Sequence, residues 1–173
     1  MKIINSILLI SVILSCSSYG SFNSFYNHHK NDNKVTAVEI PQFMLAVLRA
    51  SSGEMNNFMG NVKEIRYIHL NPDSDLESTQ ISHQINGLVS HRFIDVYRKN
   101  EETKRTLISV RENRDVVKEI IVYKNDDKSN SVFYLKGNFN PEKVREYVKN
   151  DGFDKLSNNV LQQYNLNPTN FKN

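Results

Sequence analysis

The feature that most constrains the fold is a run of four β-rich segments in the second half of the chain. The links between these segments, such as Glu112–Asp115, are brief and polar. Parallel strands need a crossover connection of about a dozen residues or more, so short links favour antiparallel neighbours. We therefore predict a four-stranded meander, with strands over Phe93–Arg98, Thr106–Arg111, Val116–Lys124 and Ser131–Asn138.

Helical signals precede and follow this meander. Ser74 and Glu77 have the spacing of a capping box, in which each side chain satisfies a backbone N–H group at a helix start. Asn140 and Pro141 form a second helix start, and Gly152 is the expected C-terminal cap of that helix. Apolar periodicity predicts further helices over Ser21–Lys30, after Pro41, around Met55 and between Asp154 and Tyr164, and strands over Val35–Ile40 and Val62–Leu70.

The order of these elements predicts an α+β fold. We expect a two-layer sandwich, in which a largely antiparallel sheet carries helices packed mainly on one face. The length of 173 residues suits a single domain of this kind. We place the domain at residues 22–150 and treat residues 151–173 as a C-terminal extension that holds one helix and then a loose tail.

The first residues resemble a bacterial lipoprotein signal. A basic start at Lys2 is followed by an apolar stretch over Ile7–Leu14 and then by small residues, which is the layout of a secretory signal peptide over residues 1–15. Ser15 and Cys16 complete a lipobox-like sequence, and Cys16 is the only cysteine of the chain. In such signals cleavage occurs between these two residues and the cysteine thiol receives a diacylglyceryl group. The alternative is a plain signal peptide with a cysteine there by chance.

A lipid at Cys16 would determine where the protein resides. A diacylglyceryl group and an N-acyl chain together give stable anchoring, which one chain alone does not. Residues 16–21 form a tether of at most ~20 Å, so the domain would lie close to the membrane. We therefore expect a membrane-anchored lipoprotein of the bacterial cell envelope, facing the periplasm.

Composition excludes several other classes of protein. The formal net charge is only +3, and the 22 basic residues are scattered, so no nucleic-acid partner is expected. With one cysteine, no internal disulfide and no multi-cysteine metal site can form. No apolar segment reaches the ~20 residues that a transmembrane helix needs.

The succession of hydrophobic patterns resembles a known family. The lipobox is followed by a Phe-rich helix, by Val35–Pro41, by the Glu64–Ile68 strand, and later by Ile120–Tyr123 and Phe133–Phe139. This order is similar to the domain of unknown function 4252 family, small lipoproteins of the Bacteroidetes envelope, over about residues 22–150. The resemblance implies an envelope location and an α+β domain, and it supplies no catalytic residues.

No constellation of side chains predicts an enzyme, a metal site or a cofactor site. His28 and His29 are adjacent and point in different directions, so a metal site with Asp32 is not expected. His83 and His91 lie eight positions apart on one predicted helix, which is about two turns and too far for a shared ion. The chain also lacks a phosphate-binding loop and a nucleophile elbow, and we predict that it is not an enzyme.

The predicted sheet is apolar on both faces near its centre, whereas a sheet with one solvated face alternates apolar and polar residues. Two explanations remain open. A second layer, for which the C-terminal extension is a candidate, covers the other face. Alternatively, a partly exposed aromatic face docks a partner or a hydrophobic ligand, with Phe93, Tyr97, Tyr123 and Phe133 as the candidate partner surface.

Three functional hypotheses follow. The leading one is a non-enzymatic binding or signalling-accessory module that docks an envelope protein. The second is a carrier or sensor of a small apolar ligand in the periplasm, for which a cavity between helices and sheet would be needed. The third is an enzyme, which a cleft containing perturbed histidines and carboxylates would support.

Overall fold

The computed structural model describes residues 19–50, 58–126 and 128–164. The predicted signal peptide, Ser15, Cys16, the helical turn at Met55 and the tail beyond Leu166 lie outside these ranges. The elements in chain order are α1 (Phe22–His29), β1 (Val35–Glu39), α2 (Gln42–Ala50), β2 (Val62–Leu70), α3 (Asp75–Ser90), β3 (Ile94–Asn100), β4 (Arg105–Asn113), β5 (Val116–Asn125), β6 (Asn130–Phe139), α4 (Pro141–Lys149) and α5 (Gly152–Gln163).

The strands form one antiparallel sheet in the order β1-β2-β6-β5-β4-β3. The last four strands are neighbours in sequence order, so the predicted meander is confirmed. The β4–β5 hairpin turns at Arg114 and Asp115, which both have positive φ angles of 50° and 60°. Two successive left-handed residues match the twist of the flanking strands, which explains why so short a link suffices.

The predicted helix starts are confirmed, and one predicted helix end is wrong. The Ser74 hydroxyl accepts a hydrogen bond from the Glu77 backbone N–H (3.2 Å), and Asn140 caps α4 in the same way. Gly152, however, is the first residue of α5 rather than the cap of α4, which ends at Lys149 and has Asn150 as its C-cap residue. A Cβ atom on Gly152 would overlap the Tyr147 ring, so glycine is needed there for the close approach of the two helices.

The α+β class and the antiparallel sheet are confirmed, but the expectation of helices mainly on one face is wrong. The front face of the sheet packs against α2, α4 and α5, through core residues such as Leu45, Val144 and Leu156. The back face packs against α1 and α3, through Phe25 and Ile85 among others. The fold therefore has three layers, because strands that are apolar on both sides must bury both sides.

Candidate functional site

The four residues of the predicted partner surface do not lie together. Phe93 is half-buried against the back-face core, and Tyr97 lies on the edge strand β3 with 38% of its surface exposed. Tyr123 and Phe133 are buried on opposite faces of the sheet, so their assignment to an exposed surface is wrong. The explanation that both faces are covered by the protein's own helices is the one that the structure supports.

Tyr123 is part of a buried polar network that joins α3 to one end of the sheet. Its hydroxyl donates to Asn130 Oδ1 (2.6 Å) and lies 2.8 Å from Ser82 Oγ on α3. Asn125 Nδ2 also donates to Asn130 Oδ1 (2.8 Å), and Asn130 Nδ2 donates to Ser78 Oγ (3.3 Å). Asn130 is fully buried, so this network satisfies polar groups that water cannot reach. It has a structural role.

The front face carries an unusual row of polar side chains near the same end of the sheet. Cross-strand partners in an antiparallel sheet point to the same face, so the pairing register gives the row directly. One polar or charged residue comes from each of the six strands, in the order Thr36, His69, Ser131, Lys124, Thr106 and Lys99.

The next row towards the centre of the sheet consists of aliphatic and aromatic residues, three of each. It consists of Val38, Tyr67, Phe133, Val122, Ile108 and Tyr97, again one residue from each strand. The two rows together form a boundary between polar and apolar surface on the front face. A molecule that lay across this boundary would meet hydroxyl, amino and imidazole groups on one side and aromatic carbon on the other.

The helices of the front layer leave this boundary partly uncovered. An aromatic cluster holds α4 and α5 onto the opposite end of the face, where Phe58 stacks on Tyr147 with ring centroids 4.2 Å apart and Phe153 meets both rings edge-on. The later turns of α5 then pass over the boundary, where Ser157, Asn158 and Leu161 face the sheet.

A partly open cavity of about 280 Å³ lies between these turns of α5 and the sheet. We call it the α5 cavity. Its apolar side is made by Tyr67, Val122, Phe133 and Leu161, and its polar side by His69, Lys104, Thr106, Lys124, Ser131 and Asn158, with further contributions from the β5–β6 turn. Its volume lies near the lower end of the ~300–1,000 Å³ that is usual for small-molecule sites.

The charges around the α5 cavity are of both signs. Lys124 Nζ is 2.7 Å from Asp154 Oδ1, a pair that ties β5 to α5. Asp126 Oδ1 accepts hydrogen bonds from the backbone N–H of Ser129 (2.9 Å) and from its hydroxyl (3.0 Å), so this carboxylate stabilises its own turn. Lys104 adds a further positive charge on the same side.

The two ionisable rings in the cavity are held neutral. Burial lowers the pKa of His69 from its ordinary value, more than its hydrogen bond with Asn71 and the nearby Asp126 raise it. His69 Nε2 lies 3.0 Å from Asn71 Oδ1, which fixes the ring orientation. Burial also raises the pKa of Tyr67. At neutral pH the cavity therefore offers hydrogen bonds and lysine charges rather than a titrating histidine.

His29 has a structural role that the sequence did not reveal. It is buried at the end of α1, with Nδ1 2.8 Å from Asp32 Oδ2 and Nε2 2.9 Å from Gln84 Oε1 on α3. Its partners make it a tie between two back-face helices. In the described residues no group of three or more histidine, cysteine or acidic side chains could hold a metal ion.

Sequence reasoning missed the α5 cavity, although one signal was available. Each strand carries a polar residue near the same end, at a position where its face would otherwise be apolar. Aligning those residues requires the pairing register, which the bulges between Val62 and Glu64 and between Asp95 and Tyr97 make hard to derive. Of the predicted site residues that the structure describes, only Phe133 lines the cavity.

Comparison with known families gives one match. The model of the family described as "Domain of unknown function (DUF4252)" matches residues 26–147, more than two thirds of the chain. The match includes the whole sheet and ends within α4, so α5 lies outside it. No curated protein matches the sequence. In the described residues no helix is both long and apolar enough to cross a membrane.

Proposed function

Because this chain belongs to the DUF4252 family, whose description names no activity, we propose its function from its own geometry. The protein is a lipid-anchored component of the bacterial cell envelope. It binds, without chemical conversion, a small apolar molecule with one polar end in the α5 cavity. This role is that of a carrier or sensor facing the periplasm.

The observation that carries this proposal is the meeting of the polar and aromatic rows inside one cavity. Tyr67, Val122 and Phe133 provide apolar contact area, and burying an apolar group there gains roughly 25 cal/mol per Å². Ser131, Thr106 and Lys124 supply hydrogen-bond donors at the adjacent row. A few directed polar groups beside an apolar wall is the usual composition of a small-molecule site.

The same geometry argues against catalysis. The two groups of the cavity that could act as an acid–base pair have other partners: His69 Nε2 lies 3.0 Å from Asn71 Oδ1, and the Asp126 carboxylate accepts hydrogen bonds from its own turn. A general acid–base pair needs two groups with suitable pKa values that converge on one substrate position. The α5 cavity supplies hydrogen bonds and shape instead, which favours binding without reaction.

Ligand binding is tested with two substitutions. One fills the cavity with a larger side chain, and the other introduces the same side chain at a matched position outside the cavity. Thr106 and Thr36 belong to the same polar row and are both half-buried, but only Thr106 lines the cavity. The probe is 8-anilinonaphthalene-1-sulfonate, which combines an apolar body with one anionic group. We expect Thr106→Phe to weaken probe binding at least tenfold and Thr36→Phe to leave it within twofold of the wild type.

Equal probe binding by the two variants would contradict the assignment of the site. A parallel measurement uses native mass spectrometry of protein released from its own membranes. It should detect a bound small molecule on the wild type and on Thr36→Phe, and none on Thr106→Phe. Urea unfolding of both variants verifies that each is folded before the comparison is made.

The lipid anchor is tested separately at Cys16. Substituting Cys16→Ala removes the thiol that accepts the diacylglyceryl group, so the variant should move from the membrane to the soluble fraction. Intact-mass analysis of the wild type should find acyl chains on the mature N-terminus. Membrane retention of the variant, together with an unlipidated wild-type N-terminus, would refute the anchor.

Docking of an envelope protein is the second candidate function, and the edge strand β3 favours it. Ile94 and Tyr97 are 59% and 38% exposed there, and one edge of β3 pairs with no other strand among the described residues. These exposed side chains would make the contact, because the bulge between Asp95 and Tyr97 and the charges of Arg98 and Lys99 hinder strand addition. A specific partner in cells that is lost on Tyr97→Glu would establish this role.

A further inference from the structure

Apart from Gln42 at its start, every exposed residue of α2 is apolar. Leu45 and Leu48 point inward and are fully buried. The exposed positions on the other side are Phe43, Ala46, Val47 and Ala50. Their spacing of three and four residues places them in one stripe along the helix. Phe43 is 69% exposed and Val47 is 50% exposed, so the two largest side chains of the stripe stand in solvent.

This pattern is specific to α2. Helix α4 has the same length and lies on the same face of the sheet. Its exposed positions are polar or charged: Glu142, Lys143, Arg145, Glu146 and Lys149. An ordinary surface helix has the composition of α4, because charged groups keep their hydration at little cost. The α2 stripe is therefore a surface on which an apolar contact would be favourable.

The start of α1 and the start of α2 are held by the same stretch of β2, on opposite faces of the sheet. The Arg66 guanidinium on β2 contacts both Asn23 Oδ1, in the first turn of α1, and Glu39, the last residue of β1. Gln42, the first residue of α2, donates from Nε2 to the Lys63 backbone oxygen (2.6 Å) on the same strand. The first turns of α1 and α2 thus contact β2 within four residues of each other, one on each face of the sheet.

The predicted anchor lies a short distance before this point. From Cys16 to Phe22 the chain spans at most ~20 Å, so lipid at Cys16 brings the start of α1 close to the bilayer. The β1–β2 side of the sheet, which also carries α2, comes with it. We propose that the α2 stripe lies in the lipid interface of the membrane that holds the anchor. This inference rests on the anchor of the proposed function.

Membrane binding by the α2 stripe and by the lipid anchor would be stronger together than either contact alone. A helix face such as this one buries its apolar side chains at the boundary of headgroups and acyl chains, and the tether raises its local concentration there. The membrane contact would lie at the β1–β2 side of the sheet. The strand β3, at the opposite edge, would then point away from the bilayer.

The test places a fluorescent label at single positions of the lipidated full chain. Phe43→Cys and Val47→Cys carry a nitrobenzoxadiazole label, and the Cys16 thiol is itself blocked by lipid. Leu76→Cys is the matched control, because Leu76 is 69% exposed like Phe43 but lies on α3, on the back face. The protein is reconstituted in vesicles of phosphatidylethanolamine and phosphatidylglycerol that contain a spin-labelled lipid as quencher.

We expect at least threefold stronger quenching at positions 43 and 47 than at position 76. Protein that floats with the vesicles but shows equal, weak quenching at all three positions would overturn the docking and leave the anchor standing. Protein that does not float would overturn the anchor and the docking with it. All three substitutions are at exposed positions, so the variants should fold like the wild type.

Discussion

Removing the Tyr123 hydroxyl tests whether this residue belongs to the core or to a recognition surface. The substitution Tyr123→Phe keeps the ring, which is fully buried against the back-face core, and deletes one oxygen atom. That oxygen lies 2.6 Å from Asn130 Oδ1 and 2.8 Å from Ser82 Oγ. Burial raises the pKa of Tyr123, so the hydroxyl stays protonated and can donate across the working pH range.

The expected loss of stability follows from these two hydrogen bonds. Each is worth ~0.5–1.5 kcal/mol net. Asn130 Oδ1 keeps the hydrogen bond from Asn125 Nδ2, so no buried acceptor is left without a partner. We therefore expect Tyr123→Phe to lower the free energy of unfolding by ~1–2 kcal/mol, which for a domain of this size lowers Tm by roughly 3–6 °C.

Urea unfolding measures this loss, and Tyr97→Phe is the matched control. The midpoint should fall for Tyr123→Phe with an unchanged m-value, because the surface exposed on unfolding is the same. Tyr97 lies partly exposed on the edge strand, so its variant should stay within ~0.5 kcal/mol of the wild type. Adding Ser82→Ala to Tyr123→Phe should cost less than the sum of the two single changes, because both remove one shared hydrogen bond. Equal midpoints for the two tyrosine variants would refute the buried network.

Two further predictions concern backbone packing and pH. Gly137→Ala should destabilise the fold by about 2–3 kcal/mol in the same assay, since its Cβ would overlap the Asn61 carbonyl oxygen, whereas Gly20→Ala, with open space around it, should be neutral. Because burial lowers the pKa of His69 below the ordinary 6.5, the unfolded chain binds this proton more tightly, and stability is lost as the pH falls through 6.5. The free energy of unfolding of the wild type should therefore exceed that of His69→Gln by less at pH 5.5 than at pH 8. The same difference at both pH values would contradict a lowered pKa of His69 in the folded protein.

Local signals in the sequence predicted the helices and strands well, but they predicted poorly how residues distant in the sequence pack together. The caps at Ser74 and Asn140 and the meander of β3–β6 depend on neighbouring residues and on link length, which the sequence states directly. Gly152 was misassigned because a glycine required by close packing against Tyr147 looks the same in sequence as a helix cap.

The prediction of an exposed partner surface was wrong for a related reason. The sequence shows that β5 and β6 are apolar on both faces, but it does not show which helices cover which face. Since α1 and α3 cover one side and α2, α4 and α5 the other, Tyr123 and Phe133 became core residues. The polar row that lines the α5 cavity combines residues far apart in the chain and appears only once the register is known.

The three-layer arrangement limits the surfaces on which this protein can bind a ligand or a partner. With helices over both faces of the sheet, recognition is left to the uncovered end of the front face, to the edge strands β1 and β3 and to the outward faces of helices. The α5 cavity lies at the uncovered end of the front face. One of its walls belongs to the part of the chain that matches the family, and the other does not. The sheet wall, with Tyr67 and Phe133, lies within the residues that match the family, whereas Leu161 on α5 lies beyond them. A change of α5 would therefore alter the shape of the cavity, and with it the ligand that we propose, without disturbing the sheet. The reason is that α5 contributes a side wall, whereas the register of the strands is set by their own pairing.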